Sequence, residues 1–412
     1  MAERAKYGAA AMAGITGKLP VPFPREMGPN CLKYLEEYVA SGLTADITGR
    51  FETAFARELG VKHCIATPGC TPALAMLASA FSFAPGDEII VSPITDYGTL
   101  QGLIRENYIP VFADTDPGCI NISARGIEPK ITDRTRAILV VHKTGLMCDM
   151  EGINTLAARH GLIVYEDACQ AVFSEWKGRF AGTFGLAAGF SFDSEKTMGS
   201  DVGGCVVTND DELAERLRFV GLSRGAAMKP HFGRLHVVPG YAYRMANCTA
   251  AICLGQLEII REQVVRIDRA ARLLNKLVAR ISGILPLRIP DQQNVWSCWM
   301  YGIRIDPTQF RCTPEEFADQ LSQAGIPGAG MGKYYLMPAA LTFLDENARN
   351  KVYPYSMPPA SREYRYSEEN CPHAKAFLDN FIRWSTLCAK YEPEHCELAA
   401  AIIAEVAERN RI

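Results

Sequence analysis

A lysine that follows a buried strand is the first candidate for chemistry. The segment GFSFDSEKTMGSDVGG, residues 189–204, runs from an apolar strand through Ser191 to Lys196 and then to several glycines. A lysine among small residues can lose its hydration, which disfavours the ammonium form and makes the amine a nucleophile toward carbonyl groups. Most lysines are solvated surface groups, so the context of Lys196 is what singles it out.

A second candidate is a pair of carboxylates at the end of another apolar strand. In VYEDACQA, residues 164–171, the strand runs into Glu166 and Asp167 and then Gln170. A charge at the end of a buried strand is costly unless it is paired. Asp167 therefore needs a cationic partner, which is either a nearby arginine or a ligand such as a protonated heterocycle.

The segment TPGCTPAL, residues 67–74, has the pattern of a helix start. Thr71 is the expected N-cap, and Pro72 stands at the first helical position, where its missing N–H matters least. Free amides and the helix dipole then favour a bound phosphate. Thr-Pro also starts many helices that bind nothing.

An aromatic residue stands near the same predicted edge. In SPITDYG, residues 92–98, Tyr97 comes just after a strand. Its ring either stacks on a planar ligand or fills the core.

These residues are positioned by alternating strands and helices. Short β-branched runs predict seven strands, at His63–Ala66, Glu88–Ser92, Ile109–Ala113, Ala137–His142, Leu162–Glu166, Ala187–Phe192 and Gly204–Thr208. Helical patterns lie between most of them, at Pro72–Phe81, Tyr97–Glu106, Glu151–His160 and Glu212–Val220. Such alternation predicts a mainly parallel sheet covered on both faces, with ligands beyond the carboxyl ends of its strands. A long helix is predicted over residues 248–282, and then the pattern changes to strand Trp299–Ile305 and helices Pro314–Ala324 and Glu397–Arg409. A loop or lid rich in Pro, Tyr and Ser is expected at 353–368.

Composition excludes several classes of protein. The 412 residues include 43 Lys and Arg against 46 Asp and Glu, a net charge of -3 that argues against a nucleic-acid partner. The 14 cysteines form no C-x-x-C pair and stand with no histidine cluster, so no metal site is expected. Scattered cysteines with no secretory signal favour a cytoplasmic protein. Residues 65–86 carry no charge, but their prolines favour a buried helix with flanking loops over a membrane span.

A phosphate cradle, a stacking aromatic, a buried carboxylate and a Schiff-base lysine are the parts that a pyridoxal 5'-phosphate (PLP) site requires. The chain resembles the DegT/DnrJ/EryC1/StrS sugar aminotransferases of PLP fold type I. The resemblance is carried by EDACQA (166–171), FSFDSEKT (190–197), GGCVVTND (203–210), GYAYRM (240–245) and QLEII (256–260). It implies a mainly parallel seven-stranded α/β sheet with helices on both faces in a large PLP-binding domain, residues 1–255 with an N-terminal arm. A smaller α+β domain, residues 256–412, follows.

The resemblance also implies a role for each candidate. Lys196 binds PLP as a Schiff base and later moves the substrate proton, and Asp167 pairs with the ring nitrogen. Gln170 binds the ring 3' oxygen or packs at its face, and Tyr97 stacks on the ring. Ser191 and the amides of Cys70 and Thr71 bind the phosphate. The implied reaction moves an amine from glutamate or glutamine, through the pyridoxamine form (PMP), to a keto group of a sugar, sugar acid or cyclitol.

Three positions depart from the family pattern. Cys70 replaces a glycine and Pro72 a residue with an N–H, so the cradle has one donor fewer. Ala242 stands where the family often has an asparagine that reaches the phosphate of the neighbouring subunit. We expect either weaker PLP retention or a substitute donor, Arg244 or Asn247. The resemblance implies a homodimer with shared active sites.

Substrate contacts are expected from two further segments. The segment 223–239 carries Arg224, Lys229, His231 and Arg234, either as a loop that meets an anionic substrate or as a solvated basic loop. Tyr334 and Tyr335 either line the cleft from the small domain or belong to the core.

Two other functions remain open. One is a PLP-dependent dehydratase or epimerase of ketosugars, although related dehydratases replace the lysine with histidine and Lys196 is present. The other is a non-catalytic sensor or scaffold, against which the intact set of Lys196, Asp167, Gln170 and Ser191 argues.

Overall fold

The strands of the chain fall into one large sheet and three small ones. The computed structural model describes residues 18–222, 238–357 and 363–412, and the backbone of two short strands between the first two ranges. The strands are β1 His63–Thr67, β2 Glu88–Val91, β3 Ile109–Phe112, β4 Thr135–Val141, β5 Ile163–Asp167, β6 Glu175–Trp176, β7 Arg179–Phe180, β8 Ala187–Ser191, β9 Gly204–Thr208, β10 Ala227–Lys229, β11 Gly233–Leu235, β12 Ile284–Pro286, β13 Gln293–Val295, β14 Tyr301–Ile305, β15 Gly330–Met331 and β16 Phe381–Trp384.

Helices connect most of these strands. They are α1 Cys31–Ala40, α2 Ile47–Leu59, α3 Cys70–Phe81, α4 Tyr97–Arg105, α5 Ala124–Ile127, α6 Met150–His160, α7 Asp211–Leu222, α8 Asn247–Leu257, α9 Ile260–Val278, α10 Pro314–Gln323, α11 Met337–Ala340, α12 Thr342–Arg349, α13 Pro372–Asp379 and α14 Pro393–Arg409.

The large sheet contains all seven predicted strands in the order β1-β9-β8-β5-β4-β2-β3. The neighbours from β8 to β3 pair in parallel, and β9 alone runs antiparallel to both its neighbours. Six strands therefore end at the same edge of the sheet, which is where polar residues from different strands can meet.

The sheet separates two hydrophobic clusters. Cys64 and Ala66 of β1 belong to one cluster with Phe51 and Phe55 of α2, whereas Ile65 belongs to the other with residues of α3, α4 and α6. Since side chains alternate along a strand, this division shows that helices cover both faces. The predicted mainly parallel, doubly covered sheet is confirmed.

The uncharged stretch 65–86 is core rather than surface. Its helix α3 has seven buried residues, among them Leu74, Met76 and Leu77. Among the described residues, no helix has the length and apolar character needed to cross a membrane.

A second sheet follows in the chain, with the antiparallel order β12-β14-β16-β15. Helix α10 packs on β15 and β16, and α14 packs on α10, which gives this part of the chain the expected α+β character. The predicted domain boundary between residues 255 and 256 falls inside α8, near its end at Leu257, and stays a prediction.

The single helix predicted over 248–282 is wrong, because the structure has two helices there. Helix α8 ends at Leu257 and α9 begins at Ile260. The Glu258 carboxylate between them accepts hydrogen bonds from Asn30 and Tyr34. The break lets α8 pack on α1 and α2 while α9 packs on α14, which one straight helix could not do.

The tyrosine-rich segment at 353–368 packs on the sheet in its described parts. The Tyr366 hydroxyl donates to the Pro110 carbonyl at 3.0 Å, and that of Tyr364 donates to Glu88. Pro110 and Glu88 lie at the starts of their strands, so these tyrosines cover the edge opposite the carboxyl ends. Tyr364 and Tyr366 thus belong to an ordered loop at that edge, while residues 358–362 of the predicted segment lie outside the described residues.

Candidate active site

Asp167 ends β5 inside the protein and has only neutral partners. Its side chain is 2% exposed. The Thr99 hydroxyl donates to Oδ2 at 2.7 Å, and the Cys169 amide donates to Oδ1 at 3.1 Å. Within residues 18–222, 238–357 and 363–412, no arginine or lysine forms an ion pair with Asp167. The carboxylate is thus oriented but not neutralised, as a site for a protonated ring nitrogen requires.

Glu166, the neighbouring carboxylate, has a structural role. It is fully buried, hydrogen-bonds His142 at 2.8 Å and accepts the amides of Gly182, Phe184 and Gly185. Burial raises the pKa of Glu166, but His142 and these amides outweigh burial and hold the pKa below its usual value. Only Asp167 of the pair is open to a ligand.

Lys196 lies on a loop that is held at several points. The Arg25 guanidinium donates to the carbonyls of Ser194, Lys196 and Thr197 at 2.7–2.8 Å. The Trp299 indole donates to the Glu195 carbonyl at 2.9 Å, and the Lys196 Nζ lies 4.0 Å above the Trp299 ring. Lys196 itself is only partly buried. The sequence did not indicate that Arg25 and Trp299 would position this lysine.

The start of α3 has the free amides expected of a phosphate cradle, but the helix begins earlier than predicted. The helix begins at Cys70 after the N-cap Gly69, so Thr71 is not the cap and Pro72 is the third helical residue. Ala73 is the first residue to donate back into the helix, to the Gly69 carbonyl. The amides of Cys70 and Thr71 are therefore available to an anion, as expected, and Pro72 has no N–H to add.

Ser191 lies beside this helix start. Gly204 of β9 pairs with both Thr67 of β1 and Ser191 of β8. A Cβ on Gly204 would lie 2.4 Å from the Gly69 carbonyl carbon and 2.6 Å from the Cys70 nitrogen. The missing side chain of Gly204 thus permits the close approach of β9 to the start of α3, and Ser191 is the residue of β8 that pairs with Gly204 at this point.

Gln170 connects β5 to the turn after β4. Its Oε1 accepts the Thr144 amide at 2.7 Å. The Nε2 group is then the part of the side chain that can donate to the 3' oxygen of a cofactor, which is one of the two predicted roles. The same contact fixes the turn that carries Lys143.

Lys143 is a site residue that sequence reasoning missed. Its side chain is fully buried, and its Nζ lies 3.1 Å from the centroid of the Tyr335 ring. The pKa of Lys143 is lowered to about 7, mainly by burial and also by the positive charge of Lys196, although Cys169, Asp96 and Asp167 act to raise it. The signal was present in the sequence, because Lys143 follows a predicted apolar strand just as Asp167 does.

Two thiols border the Asp167 carboxylate. The Sγ atoms of Cys70 and Cys169 and a carboxylate oxygen of Asp167 all lie within 4.8 Å of one another. A hydrogen bond with Cys169, burial and the charge of Asp167 raise the pKa of the Cys70 thiol. Metal ions bind thiolates rather than thiols, so a raised pKa makes Cys70 a poor metal ligand.

Tyr97 lies apart from this group. Its ring packs on Phe343 at 6.1 Å and lines a cavity of about 420 Å³ with Arg105 and Tyr353. Thr99, two residues further along α4, contacts Asp167, and a spacing of two turns a side chain about 200° around the helix. The structure does not support stacking of Tyr97 on a ring held by Asp167.

The two tyrosines of the C-terminal part of the chain differ. Tyr335 is buried and reaches the site through Lys143, and its amide oxygen accepts the Thr95 N–H at 3.1 Å. Tyr334 is 52% exposed, with the Arg383 guanidinium 5.6 Å above its ring. Only Tyr335 lies against a site residue.

The predicted substrate contacts Arg224 and His231 lie outside the described residues, as do the side chains of Lys229 and Arg234. Of the two substitute phosphate donors, Asn247 uses its Oδ1 within its own chain, where it accepts the amide and hydroxyl of Thr48 at 2.9 Å. Arg244 is exposed, and its guanidinium has no hydrogen-bond or ion-pair partner in the described parts of the chain.

The residues present fit PLP. A buried carboxylate without a counter-ion faces an edge that also offers an amine, free helix amides and a serine hydroxyl. The buried Nζ of Lys143 has no partner in the described structure, and this unused donor fits a site that binds a ligand with polar groups.

Comparisons with known proteins agree with this chemistry. Residues 28–378 match the DegT/DnrJ/EryC1/StrS aminotransferase family. The chain is 37% identical over 255 residues to GDP-perosamine synthase of Caulobacter vibrioides, covering 62% of this chain and 68% of that protein. It is 34% identical over 280 residues to the spore coat polysaccharide biosynthesis protein SpsC of Bacillus subtilis, covering 66% and 72%.

Solved structures share the fold over almost the whole chain. The aminotransferase PseC of Helicobacter pylori, involved in the biosynthesis of pseudoaminic acid, superposes with a TM-score of 0.76 at 25% identity, covering 95% of this chain and 100% of that one. Synthase of 3-amino-5-hydroxybenzoic acid superposes with a TM-score of 0.80 at 24% identity, with the same coverage. These likenesses confirm PLP fold type I. The chain belongs to the DegT/DnrJ/EryC1/StrS family and is a PLP-dependent aminotransferase.

Proposed function

We propose that this aminotransferase moves the amine of glutamate or glutamine to the keto group of a sugar that is carried on a nucleotide. The observation that carries the reaction type is the meeting of Asp167, Lys196 and the α3 amides at one edge of the sheet. The names of the relatives support the acceptor, since two of them make GDP-perosamine or take part in polysaccharide biosynthesis. Sugar acids and cyclitols are the alternative acceptors.

Different residues of the chain would bind different parts of the cofactor. When bound, PLP supplies an electron sink for the electrons left on the substrate carbon. Asp167 keeps the ring nitrogen protonated, and Thr99 fixes the orientation of Asp167 by its 2.7 Å hydrogen bond. Ser191 and the amides of Cys70 and Thr71 hold the phosphate.

Lys196 is the group that binds the cofactor aldehyde and moves the proton. Once the substrate amine has displaced it from the aldehyde, the free Nζ would accept the proton from the substrate carbon and deliver it to the cofactor carbon at the other end of the C–N bond. Arg25 and Trp299 hold the backbone of the loop that carries Lys196, which would limit the positions that Nζ can take when the cofactor is bound.

We also propose a cytoplasmic homodimer in which each subunit completes the active site of the other, without a nucleic-acid or membrane partner. The exposed Arg244 supports this assembly, because it offers a guanidinium with no partner in its own described structure. The large domain is proposed to end near residue 255, shortly before the break between α8 and α9.

A half-reaction tests the proposed function. The protein loaded with PLP is mixed with L-glutamate or L-glutamine, and the absorbance spectrum should change to that of PMP. Lys196→Ala should abolish the change, whereas Lys177→Met should not, since Lys177 forms an exposed ion pair with Glu151. A spectrum that stays the same with every amino donor would favour the dehydratase, epimerase or scaffold alternatives.

A further inference from the structure

The turn that carries Lys143 is fixed by contacts on three sides. The Lys143 amide donates to the Asn121 side chain at 3.1 Å, and the Thr144 amide donates to Gln170 at 2.7 Å. The Trp296 indole donates to the Thr144 carbonyl at 2.9 Å. Thr144 is held at a φ of 58°. The direction of the Lys143 side chain is therefore set by its surroundings rather than by solvent.

The Lys143 Nζ has no acceptor within the described residues. It is buried, it has no hydrogen-bond partner, and the face of Tyr335 covers one side of it. A buried polar group without a partner costs about 1–3 kcal/mol, and more if it is charged. A site that keeps such a group is expected to gain an acceptor when its ligands bind.

The charges around Lys143 define what that acceptor must be. The Cys169 thiol has the largest charge effect on Nζ, followed by Lys196, which opposes the charge of Nζ. The carboxylates of Asp96, at the start of α4, and of Asp167, at the end of β5, favour that charge as Cys169 does. Asp167 has the ring nitrogen as its partner in the proposed function, and Asp96 caps α4 by accepting the Gly98 amide at 2.8 Å. Neither carboxylate is within hydrogen-bonding distance of Nζ, so the donors of Nζ are unused by the described residues and available to an anionic oxygen of a ligand.

We propose that the Lys143 Nζ binds an anionic oxygen of the molecules that fill this site. Two sources have this chemistry: the phenolic oxygen of PLP, and the carboxylate that glutamate and glutamine share. The inference rests on the proposed function and adds to it a second amine that binds rather than reacts. The Tyr335 ring then covers one side of the ammonium, so that the ligand binds on the other side.

The protonation of Lys143 gives this binding a pH dependence. The amine has a pKa of about 7 in the protein without ligands, because burial disfavours its charge. An anion binds the ammonium form, so binding takes up a proton and weakens as the pH rises above about 7. A residue with a purely structural role would not produce this dependence.

The experiment compares PLP-loaded wild type, Lys143→Met and the control Lys177→Met in two spectroscopic titrations. In the first, absorbance is followed against pH without a donor; a shifted ionisation of the cofactor in Lys143→Met identifies the phenolic oxygen. In the second, L-glutamate and L-glutamine are titrated at pH 6 and pH 8.5. A half-saturation concentration raised about tenfold or more at pH 6, with the pH dependence lost, identifies the donor carboxylate.

Unchanged behaviour of Lys143→Met in both titrations would overturn the proposal. If that variant does not fold, Lys143→Gln serves instead, since it keeps a donor but no charge and should show the same loss. Borohydride reduction followed by peptide mass mapping should find the cofactor on Lys196; cofactor on Lys143 would also overturn the proposal. Failure of the proposed function is distinct, because the wild type itself would then show no spectral change with a donor.

Discussion

At the scale of single residues, the two lysines of the site have opposite surroundings. Lys196 was singled out because a lysine after a buried strand can lose its hydration, yet it is partly exposed beside Trp299. The lysine that is fully buried is Lys143, which follows β4. Sequence shows that a lysine follows a strand, but the exposure of its amine depends on which distant residue covers it. Here that residue is Tyr335, almost 200 positions later in the chain.

The buried Lys143 should make folding stability depend on pH. Its pKa is about 7 in the folded protein and near 10.4 in the unfolded chain. Between these values the unfolded chain binds more protons, so this residue makes the stability rise with pH, by about 1.4 kcal/mol per unit. Lys143→Met removes the effect. The variant without PLP should be more stable than the wild type at pH 6, by a few kcal/mol, and the difference should shrink toward pH 10.

Thermal unfolding of both proteins without cofactor, at pH 6, 7.5 and 9, measures this difference. Lys177→Met is the control, because its exposed ammonium should give no such trend. A constant difference between Lys143→Met and wild type across the three pH values would show that Lys143 does not titrate in this range.

At the scale of elements, the sequence predicted the strands better than the details at their ends. All seven strands of the large sheet were predicted, because buried parallel strands are apolar on both faces and stand out as continuous runs. The start of α3 was placed two residues late. Thr71 is a good N-cap by type, but the helix is capped by Gly69 without a side-chain bond, and a backbone position of this kind leaves no residue-type signal.

Tyr97 illustrates a related limit at the same scale. Its position after β2 was predicted, and so was the start of α4 at Tyr97. Once that start is known, the helical period alone separates the direction of Tyr97 from that of Thr99. The sequence does not show which side of α4 faces Asp167. With that knowledge, Thr99 rather than Tyr97 would have been predicted to contact Asp167.

A substitution at Gly204 can test whether PLP binding needs the close approach of β9 to α3. In Gly204→Ala the new methyl group would overlap the backbone of Gly69 and Cys70, at 2.4 and 2.6 Å. The helix start must then move away, so we expect a loss of about 1–3 kcal/mol in stability and weaker PLP binding. Equilibrium dialysis against PLP and thermal unfolding measure the two effects.

Gly330→Ala is the matched control, because a Cβ at Gly330 meets nothing within 4 Å. It should leave PLP affinity unchanged. If Gly204→Ala binds PLP as tightly as the wild type, the start of α3 is not the phosphate site, and the assignment of Cys70 and Thr71 to the cradle is wrong.

At the scale of the whole molecule, the proposed shared active site is the feature that a single chain cannot test. The segment that carries Arg244 is held to its own subunit by the Tyr241 hydroxyl, which donates to Glu106 at 2.9 Å, and by the Tyr243 amide, which donates to the Gly221 carbonyl at 2.6 Å. Asn247, the other substitute donor, uses its Oδ1 to bind Thr48. Arg244 remains as the group that can cross to a second subunit.

Dimers that combine two different variants can test whether Arg244 reaches the active site of the other subunit. Arg244→Met and Lys196→Ala should each be impaired alone. If the site is shared, a mixed dimer has one site with both defects and one intact site, so an equal mixture should recover about a quarter of wild-type activity. The control pairs Lys196→Ala with Asp167→Asn, which should not complement, since both residues belong to the same subunit's part of the site. Complementation by the first pair alone requires that Arg244 acts across the interface. Its absence, with Arg244→Met inactive by itself, would place Arg244 in the site of its own chain.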